Sequence, residues 1–140
     1  MNIGFTGTQI GLTAAQGRTL FSILQGLRDD LGYREFHHGD CIGADEQAHH
    51  IARNLGLKIV IHPPLYGKKR AYCKGDFCHE PMEYLERNQE IVNESNILVA
   101  TPKEDTEQLR SGTWSTVRRA KKKGIHVIII KPNGEMEIWK

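Results

Sequence analysis

Hydrophobic residues along this chain fall into short clusters that alternate with longer stripes of helical spacing. The clusters predict five strands, at residues 3–8, 34–38, 57–62, 97–100 and 127–130. Apolar residues three or four positions apart predict four helices between them. Counting the residues that begin and end them, these helices cover residues 13–32, 44–56, 81–93 and 112–124.

Local signals mark where several of these helices begin and end. Thr13 and Gln16 have the spacing of a capping box at the start of the first helix. Gly32, Gly56 and Gly124 follow the last apolar residue of three helices, where a left-handed residue ends a helix. Residues 63–80 show no periodicity, which is typical of a functional or mobile loop.

Alternating strands and helices predict an α/β fold with a mainly parallel sheet and helices on both faces. We expect a Rossmann-like three-layer α/β/α architecture, with five strands in the order 3-2-1-4-5 and the last residues as a candidate edge strand. Residues 1–140 are predicted to form a single domain. In such sheets ligands bind at the carboxyl ends of the strands where the order reverses, here between the first and fourth strands.

Composition excludes several classes of protein. The chain has 140 residues, of which 39% are hydrophobic, and a formal net charge of +2, which demands no polyanionic partner. No apolar run approaches the roughly 18 residues of a membrane span, so we expect no membrane partner. Three cysteines, an odd number, do not make a disulfide framework. A cytoplasmic protein is the simplest interpretation.

Three corners between a predicted strand and a predicted helix carry the residues that suit an anionic ligand. The first contains Thr6, Gly7, Thr8 and Gln9. Gly7 permits close approach of the backbone to a ligand, and the two threonine hydroxyls are donors. A tight turn that merely requires glycine would give the same pattern. The Gly-x-Gly-x-x-Gly fingerprint of dinucleotide-binding proteins is absent here.

The second corner contains Gly39, Asp40, Gly43 and Asp45. Its glycines flank a polar turn, and both carboxylates could accept hydrogen bonds from ribose hydroxyls. Asp45 could instead complement the positive end of the following helix. For the histidines at positions 37 and 38, which end the preceding strand, we favour a structural role.

The third corner contains Arg110, Ser111, Gly112 and Thr113, directly before a helix. Positive charge, hydroxyl donors and a backbone without a blocking Cβ are the combination that binds phosphate. An ordinary N-cap formed by Ser111 or Thr113 is the alternative. Trp114 could stack on a base or lie in the core.

Taken in order, these segments resemble the SLOG superfamily, the Rossmann-like group that unites DprA/SMF proteins with LOG nucleotide phosphoribohydrolases. The resemblance covers nearly the whole chain and rests on residues 4–8, 39–45, 87–88 and 111–114. It implies a nucleotide or nucleotide-derived small molecule as ligand and a homodimer or higher homo-oligomer. We predict no cofactor. The resemblance is closest to small single-domain bacterial and phage members, in which a sensor or sequestering role would fit.

The same resemblance makes catalysis an open question. Gly112 and Thr113 match the phosphate-binding Gly-Thr of the LOG motif, and Arg87 matches a position near its catalytic arginine. The motif continues to a glutamate, but this chain has Thr116 there, and a threonine cannot act as a carboxylate base. The catalytic residue is therefore unknown, with Arg87, Asp45 and Glu90 as candidates.

Two other chemistries are disfavoured. Cys73, Cys78 and His79 are spaced more widely than the ligand pairs of most structural zinc sites, so we predict no metal site. The basic run at residues 118–123 ends a helix, where cations suit the dipole. Nucleic acid is thus an improbable partner. A ligand-binding protein is the leading interpretation, with a LOG-type glycosidase and a DprA-like binder of single-stranded DNA as alternatives.

Overall fold

Strands and helices alternate through residues 1–139, which are the residues that the computed structural model describes. The strands are β1 (Asn2–Gly7), β2 (Glu35–His38), β3 (Lys58–Ile61), β4 (Phe77–Cys78), β5 (Ile97–Thr101), β6 (His126–Ile130) and β7 (Met136–Trp139). The helices are α1 (Ala14–Leu31), α2 (Ala44–Asn54), α3 (Tyr84–Asn93) and α4 (Gly112–Lys123).

All seven strands form one sheet in the order β4-β3-β2-β1-β5-β6-β7. Every neighbouring pair is parallel except β6 and β7, which are antiparallel. The predicted order of the five central strands is confirmed, and the candidate edge strand is β7. The predicted number of five strands, with a candidate sixth at the edge, was too low because it missed β4, which lies within residues 63–80. A strand of two exposed residues has no periodicity that a sequence pattern could reveal.

Alternation of side chains along the central strands produces the three layers. Ile97 and Val99 of β5 pack with the cluster that contains α1 and α2. Leu98 and Ala100 of the same strand pack with the cluster that contains α4. Successive residues of a strand point to opposite faces, so β5 supplies apolar side chains to a core on each side of the sheet.

The predicted capping box at the start of α1 is present. The amide of Gln16 donates to Thr13 Oγ1, and the amide of Thr13 donates to Gln16 Oε1, each at a distance of 3.0 Å. The side-chain amide of Gln16 also donates to the carbonyls of Pro102 and Ile130, at 2.8 and 3.0 Å. The N-terminus of α1 is thereby attached to the chain just beyond β5 and to the last residue of β6.

The third helix begins at Tyr84, three residues later than predicted. Pro81 suits a first helical turn, but the backbone of Met82 pairs with the chain that follows β3. The amide of Met82 donates to the carbonyl of Pro63, and the carbonyl of Met82 accepts from the amide of Leu65. This bridge holds the chain extended until residue 83. Within residues 1–139, no helix combines the length and the apolar character needed to cross a membrane.

Replacement of Gly7 by alanine tests how closely β1 is packed at its carboxyl end. A Cβ at this position would collide with Thr101 Oγ1 and lie 2.5 Å from the Cβ of Ala44. We expect the free energy of unfolding to fall by about 1–3 kcal/mol, the range of an overpacked core.

Gly17→Ala, in the middle of α1, is the matched control, because its added Cβ would meet nothing within 4 Å. This substitution should raise the stability by about 0.5–1 kcal/mol through helix propensity. Urea denaturation of both variants measures the difference, and equal effects of the two substitutions would refute the packing interpretation.

Candidate functional site

A cleft lies where the carboxyl ends of β1 and β5 meet. The two strands pair in parallel as far as Gly7 and Thr101, and the amide of Thr8 donates to the carbonyl of Thr101 at 3.1 Å. The connections from these strands then run to opposite faces of the sheet. The cleft therefore occupies the point of strand reversal that the sequence predicts. Its volume is about 750 Å³, within the range of small-molecule sites.

One end of the cleft is formed by the start of α4. Ser111 is the N-cap, and its Oγ accepts from the amide of Trp114 at 3.2 Å. The amides of Gly112 and Thr113 belong to the first turn, where no preceding carbonyl of the helix is available to them. Gly112 packs against Tyr84, since an added Cβ would lie 2.8 Å from the Tyr84 hydroxyl oxygen. The helix thus presents backbone donors to the cleft.

Charged side chains around the cleft are mostly cationic. Lys69, Lys103 and Arg110 line it, with Glu104 as the one carboxylate among the lining residues of the described chain. Glu104 accepts a hydrogen bond from the Trp114 indole nitrogen at 3.1 Å, so this carboxylate is already engaged. The balance of charge favours an anionic ligand.

Apolar side chains form the remaining surface of the cleft. Ile10, Ile42, Tyr84 and Leu109 all line it and all are exposed. Leu109 and Ile10 have relative exposures of 85% and 77%, unusually high for large aliphatic residues. A ligand with a flat apolar part could cover this surface.

In the first loop, the hydroxyl of Thr8, which the sequence predicted as a ligand donor, takes part in a hydrogen bond of the turn. Thr8 Oγ1 accepts from the amide of Ile10 at 3.3 Å. The carbonyl of Thr8 accepts from the amides of Gly11 and Ala44. Thr8 therefore fixes the shape of the loop, while Gly7, Thr8 and Gln9 together line the cleft.

In the second corner the predicted ligand residues lie behind the cleft wall, while Ile42 between them lines the cleft. Asp40 is fully buried; one of its carboxylate oxygens accepts from Arg70 Nε at 2.8 Å and the other from the amide of Cys73 at 2.9 Å. Gly43 has a φ of 89°, and an added Cβ would collide with the carbonyl of Gln9. Asp40 thus holds the irregular segment 63–80 in place, and Gly43 lets the two loops touch.

Arg87 is buried beneath the cleft and binds protein groups. Its guanidinium donates to the carbonyl of Gly39 and, at 3.1 Å, to the carbonyl of His62, so it joins the chain beyond β2 to the chain beyond β3. The same guanidinium lies 4.8 Å from the centre of the Tyr84 ring. Arg87 therefore supports Tyr84, which is itself part of the cleft wall.

Seven of the predicted ligand-binding residues line the cleft, and six do not. The seven are Gly7, Thr8, Gln9, Arg110, Ser111, Gly112 and Thr113. The six are Thr6, Gly39, Asp40, Gly43, Asp45 and Arg87. The catalytic candidates Asp45 and Arg87 are buried behind the wall, and Glu90 lies near Glu94, towards the far end of α3. A ligand or catalytic role for these residues stays a prediction.

Sequence reasoning missed much of the apolar surface and part of the charge. Nothing in the pattern connects Tyr84 or Leu109 with the first loop, because both come from distant segments. Lys69 had a signal, since it lies in a basic stretch of the irregular segment. The amide of Ile42 donates to the carbonyl of Lys69 at 2.9 Å, and this contact brings the lysine to the cleft.

Solved structures share this architecture at low sequence identity. A molybdenum cofactor binding protein from Rippkaea orientalis has a TM-score of 0.69 and 20% identity over 93% of this chain and 76% of its own. The molybdenum cofactor carrier protein of Chlamydomonas reinhardtii has a TM-score of 0.65 and 18% identity over 91% and 74%. No protein-family model matches the sequence, and no curated protein matches it.

DNA processing protein A (DprA) of Streptococcus pneumoniae is a third similar structure. Its TM-score is 0.64 and its identity is 20% over 91% of this chain. The match spans 49% of the length of DprA, so this chain corresponds to about half of that protein.

The buried carboxyl of Asp45 predicts a specific pH dependence of stability. Burial raises its pKa to about 6, although Arg87 and the amides of Cys41 and Gly39 oppose the shift. The pKa of an unfolded aspartate is about 3.9, so the folded protein binds this proton more tightly. The stabilisation from the protonated carboxyl is full below about pH 4 and is lost as the pH rises through about 6.

Replacement of Asp45 by asparagine removes the titrating group and keeps the shape. The free energy of unfolding of Asp45→Asn, measured relative to that of the original protein, should rise by roughly 2–3 kcal/mol as the pH increases from about 4 to about 7, since one pKa unit is about 1.4 kcal/mol. Urea denaturation across this range measures it. Parallel profiles of the two proteins would contradict the assignment.

Proposed function

We propose that this protein, whose fold is of SLOG type, binds a nucleotide or nucleotide-derived small molecule in the cleft between β1 and β5. The fold predicted from the sequence motifs is confirmed by its structural neighbours. The observation that carries the proposal is the first turn of α4, where the amides of Gly112 and Thr113 face a cleft lined by three cationic side chains. A role in sensing or sequestering such a molecule would follow from binding alone.

A phosphate group fits the end of the cleft formed by α4. The amides of Gly112 and Thr113 are free of helical partners, and the helix dipole favours negative charge there. Lys69 and Arg110 line the same cleft and could approach the phosphate oxygens with charge-assisted hydrogen bonds. Helix donors and nearby cations together bind a phosphate more tightly than either would alone.

The base or another ring fits the apolar part of the cleft. The exposed side chains of Ile10, Ile42 and Leu109 would be covered by such a ring, and their burial would contribute hydrophobic free energy. Tyr84 adds an aromatic surface, supported from within by Arg87. The molybdenum cofactor proteins, which by name bind or carry a small molecule, support a small-molecule ligand in this fold.

Binding has more support than glycosidic hydrolysis. Thr116 stands where the LOG motif has its glutamate; it is fully buried, and its hydroxyl donates to the carbonyl of Gly112 at 2.9 Å. Glu104 is held by the Trp114 indole. In the described part of the cleft, no carboxylate is therefore left without a protein partner to act as a general base.

The ligand can be identified directly by mass spectrometry of small molecules released from the purified, heat-denatured protein. Thermal shift and calorimetry with nucleoside mono-, di- and triphosphates would then measure binding, because a ligand of the folded state raises the melting temperature. The proposal would be refuted if none of the tested nucleotides bound and no nucleotide were released from the denatured protein.

Ser111→Asp tests where the phosphate binds. Aspartate is as good an N-cap as serine, so the helix should remain, but the added carboxylate would repel a phosphate. We expect affinity for the best nucleotide to fall at least about tenfold, or about 1.4 kcal/mol.

Ser115→Asp is the matched control, because it places the same charge on α4 one turn later, next to Arg118 and away from the cleft. Calorimetry compares the two variants, and an equal loss in both would argue against a phosphate at the start of α4.

Two further predictions belong to the same experiments. A DprA-like binder of single-stranded DNA would bind oligonucleotides with an affinity that falls steeply as salt rises, whereas the proposed site requires only a mononucleotide. The homodimer or higher homo-oligomer implied by the family resemblance can be measured by sedimentation with and without the bound nucleotide.

A further inference from the structure

A cluster of histidines and carboxylates lies outside the cleft, on the face of β2 and β3 that α2 does not cover. Glu35 and His37 are two residues apart in β2 and so share this face. His62 directly follows β3, and Glu94 ends α3. His37 and His62 are almost fully buried, each with a relative exposure of 2%. The motifs of the cleft make no use of these residues.

Three ligand atoms of this cluster form a small triangle. His37 Nδ1 lies 2.8 Å from His62 Nε2 and 3.6 Å from Glu94 Oε1. His62 Nε2 lies 3.8 Å from the same carboxylate oxygen. A tetrahedral zinc ion with bonds of roughly 2.0–2.2 Å separates its ligand atoms by about 3.3–3.6 Å. The observed separations bracket that edge, so the side chains need to move only by tenths of an ångström.

We propose that His37 Nδ1, His62 Nε2 and Glu94 Oε1 bind a divalent zinc ion. Two imidazoles and one carboxylate are a ligand set that zinc accepts. His79 lies beside the cluster, with its Nε2 3.2 Å from the same oxygen of Glu94 and its ring stacked on that of His62 at a centroid distance of 4.3 Å. The fourth position of the ion would be left for water. The sequence pattern predicted no metal site, since these three ligands come from three separate segments.

The hydrogen bonds around the cluster orient it for a metal. Glu35 Oε1 lies 3.0 Å from His37 Nε2, on the far side of the ring from the proposed ion. A carboxylate in this position fixes the tautomer that leaves Nδ1 with its lone pair, as the outer partners of zinc-binding histidines do. His37 is therefore positioned to coordinate through Nδ1.

A second group of possible ligands serves as an internal comparison. His38, His49 and Cys73 also lie close together. His38 Nδ1, however, accepts from the amide of Asp40 at 2.9 Å, so its Nε2 carries the proton and donates to His49 Nδ1 at 3.0 Å, which leaves neither nitrogen of His38 for a metal. Burial also raises the pKa of the Cys73 thiol to about 12, which keeps it protonated. This group is explained without a metal. In the proposed site His37 Nδ1 and His62 Nε2 are also within hydrogen-bond distance, but there the partner of His37 Nδ1 is a second imidazole and not a backbone amide, so an ion can take its place.

The proposed ion can enter from solvent through a shallow groove. Glu35, His37, His79 and Glu94 line it, with Lys58 and Phe77 at its sides. The ion would join β2 and the residue after β3 to the end of α3. Zinc binding should therefore raise the melting temperature, because a ligand that binds only the folded state stabilises it.

Zinc titration of the untagged, chelator-treated full-length protein tests the site. Competition against a chromophoric chelator should reveal one tight equivalent of Zn²⁺, and zinc should raise the melting temperature. In Glu94→Gln, which keeps the side-chain shape at a partly exposed position, we expect zinc affinity to fall at least about tenfold. His37→Gln should have the same effect.

His49→Gln is the matched control, since it removes a buried histidine of the comparison group and should leave zinc affinity unchanged. Circular dichroism verifies that each variant is folded, and Glu94→Gln keeps the test valid if His37→Gln does not fold. Cobalt substitution should give the visible absorption of a tetrahedral site. The proposal is overturned if the original protein takes up no tight equivalent, or if Glu94→Gln binds zinc as well as the original.

Discussion

The arrangement around the cleft follows from the parallel pairing of β1 with β5. This pairing brings Gly7 beside Thr101 and sends the following loops to opposite faces, which opens the cleft between them. The absence of a side chain at Gly7 allows α2 and β5 to pack against the end of β1. Any residue with a Cβ there would push apart the elements that form the cleft.

Buried polar groups hold the loops around this cleft. Arg87 binds the carbonyls of Gly39 and His62, and Asp40 binds Arg70 and the amide of Cys73. Buried charges are tolerated only when they are paired or hydrogen-bonded. Here the partners are loop groups, so the interactions that satisfy the charges also fix the wall of the site. The cleft surface itself is left to backbone amides, exposed cations and apolar side chains.

The two faces of the sheet differ in how fully helices cover them. The cluster with α1 and α2 extends from β3 to β6, whereas the buried strand residues of the cluster with α4 come from β5 and β6. On that second face β2 carries Glu35 and His37 instead of apolar residues. A sheet surface that remains open to a groove is best occupied by polar groups, and here they converge on Glu94. The same incomplete coverage therefore creates the proposed zinc site.

Apolar periodicity and the handedness of strand–helix–strand connections are local or topological rules, so the sequence was enough to predict the four helices, the order of the five central strands and the place of the cleft. It also identified the start of α4. The folded chain was needed to show that Asp40 and Arg87 are buried supports, that Lys69 and Tyr84 reach the cleft, and that His37, His62 and Glu94 meet. Each of these depends on distances between segments remote in the chain, and side-chain type alone carries no such distance.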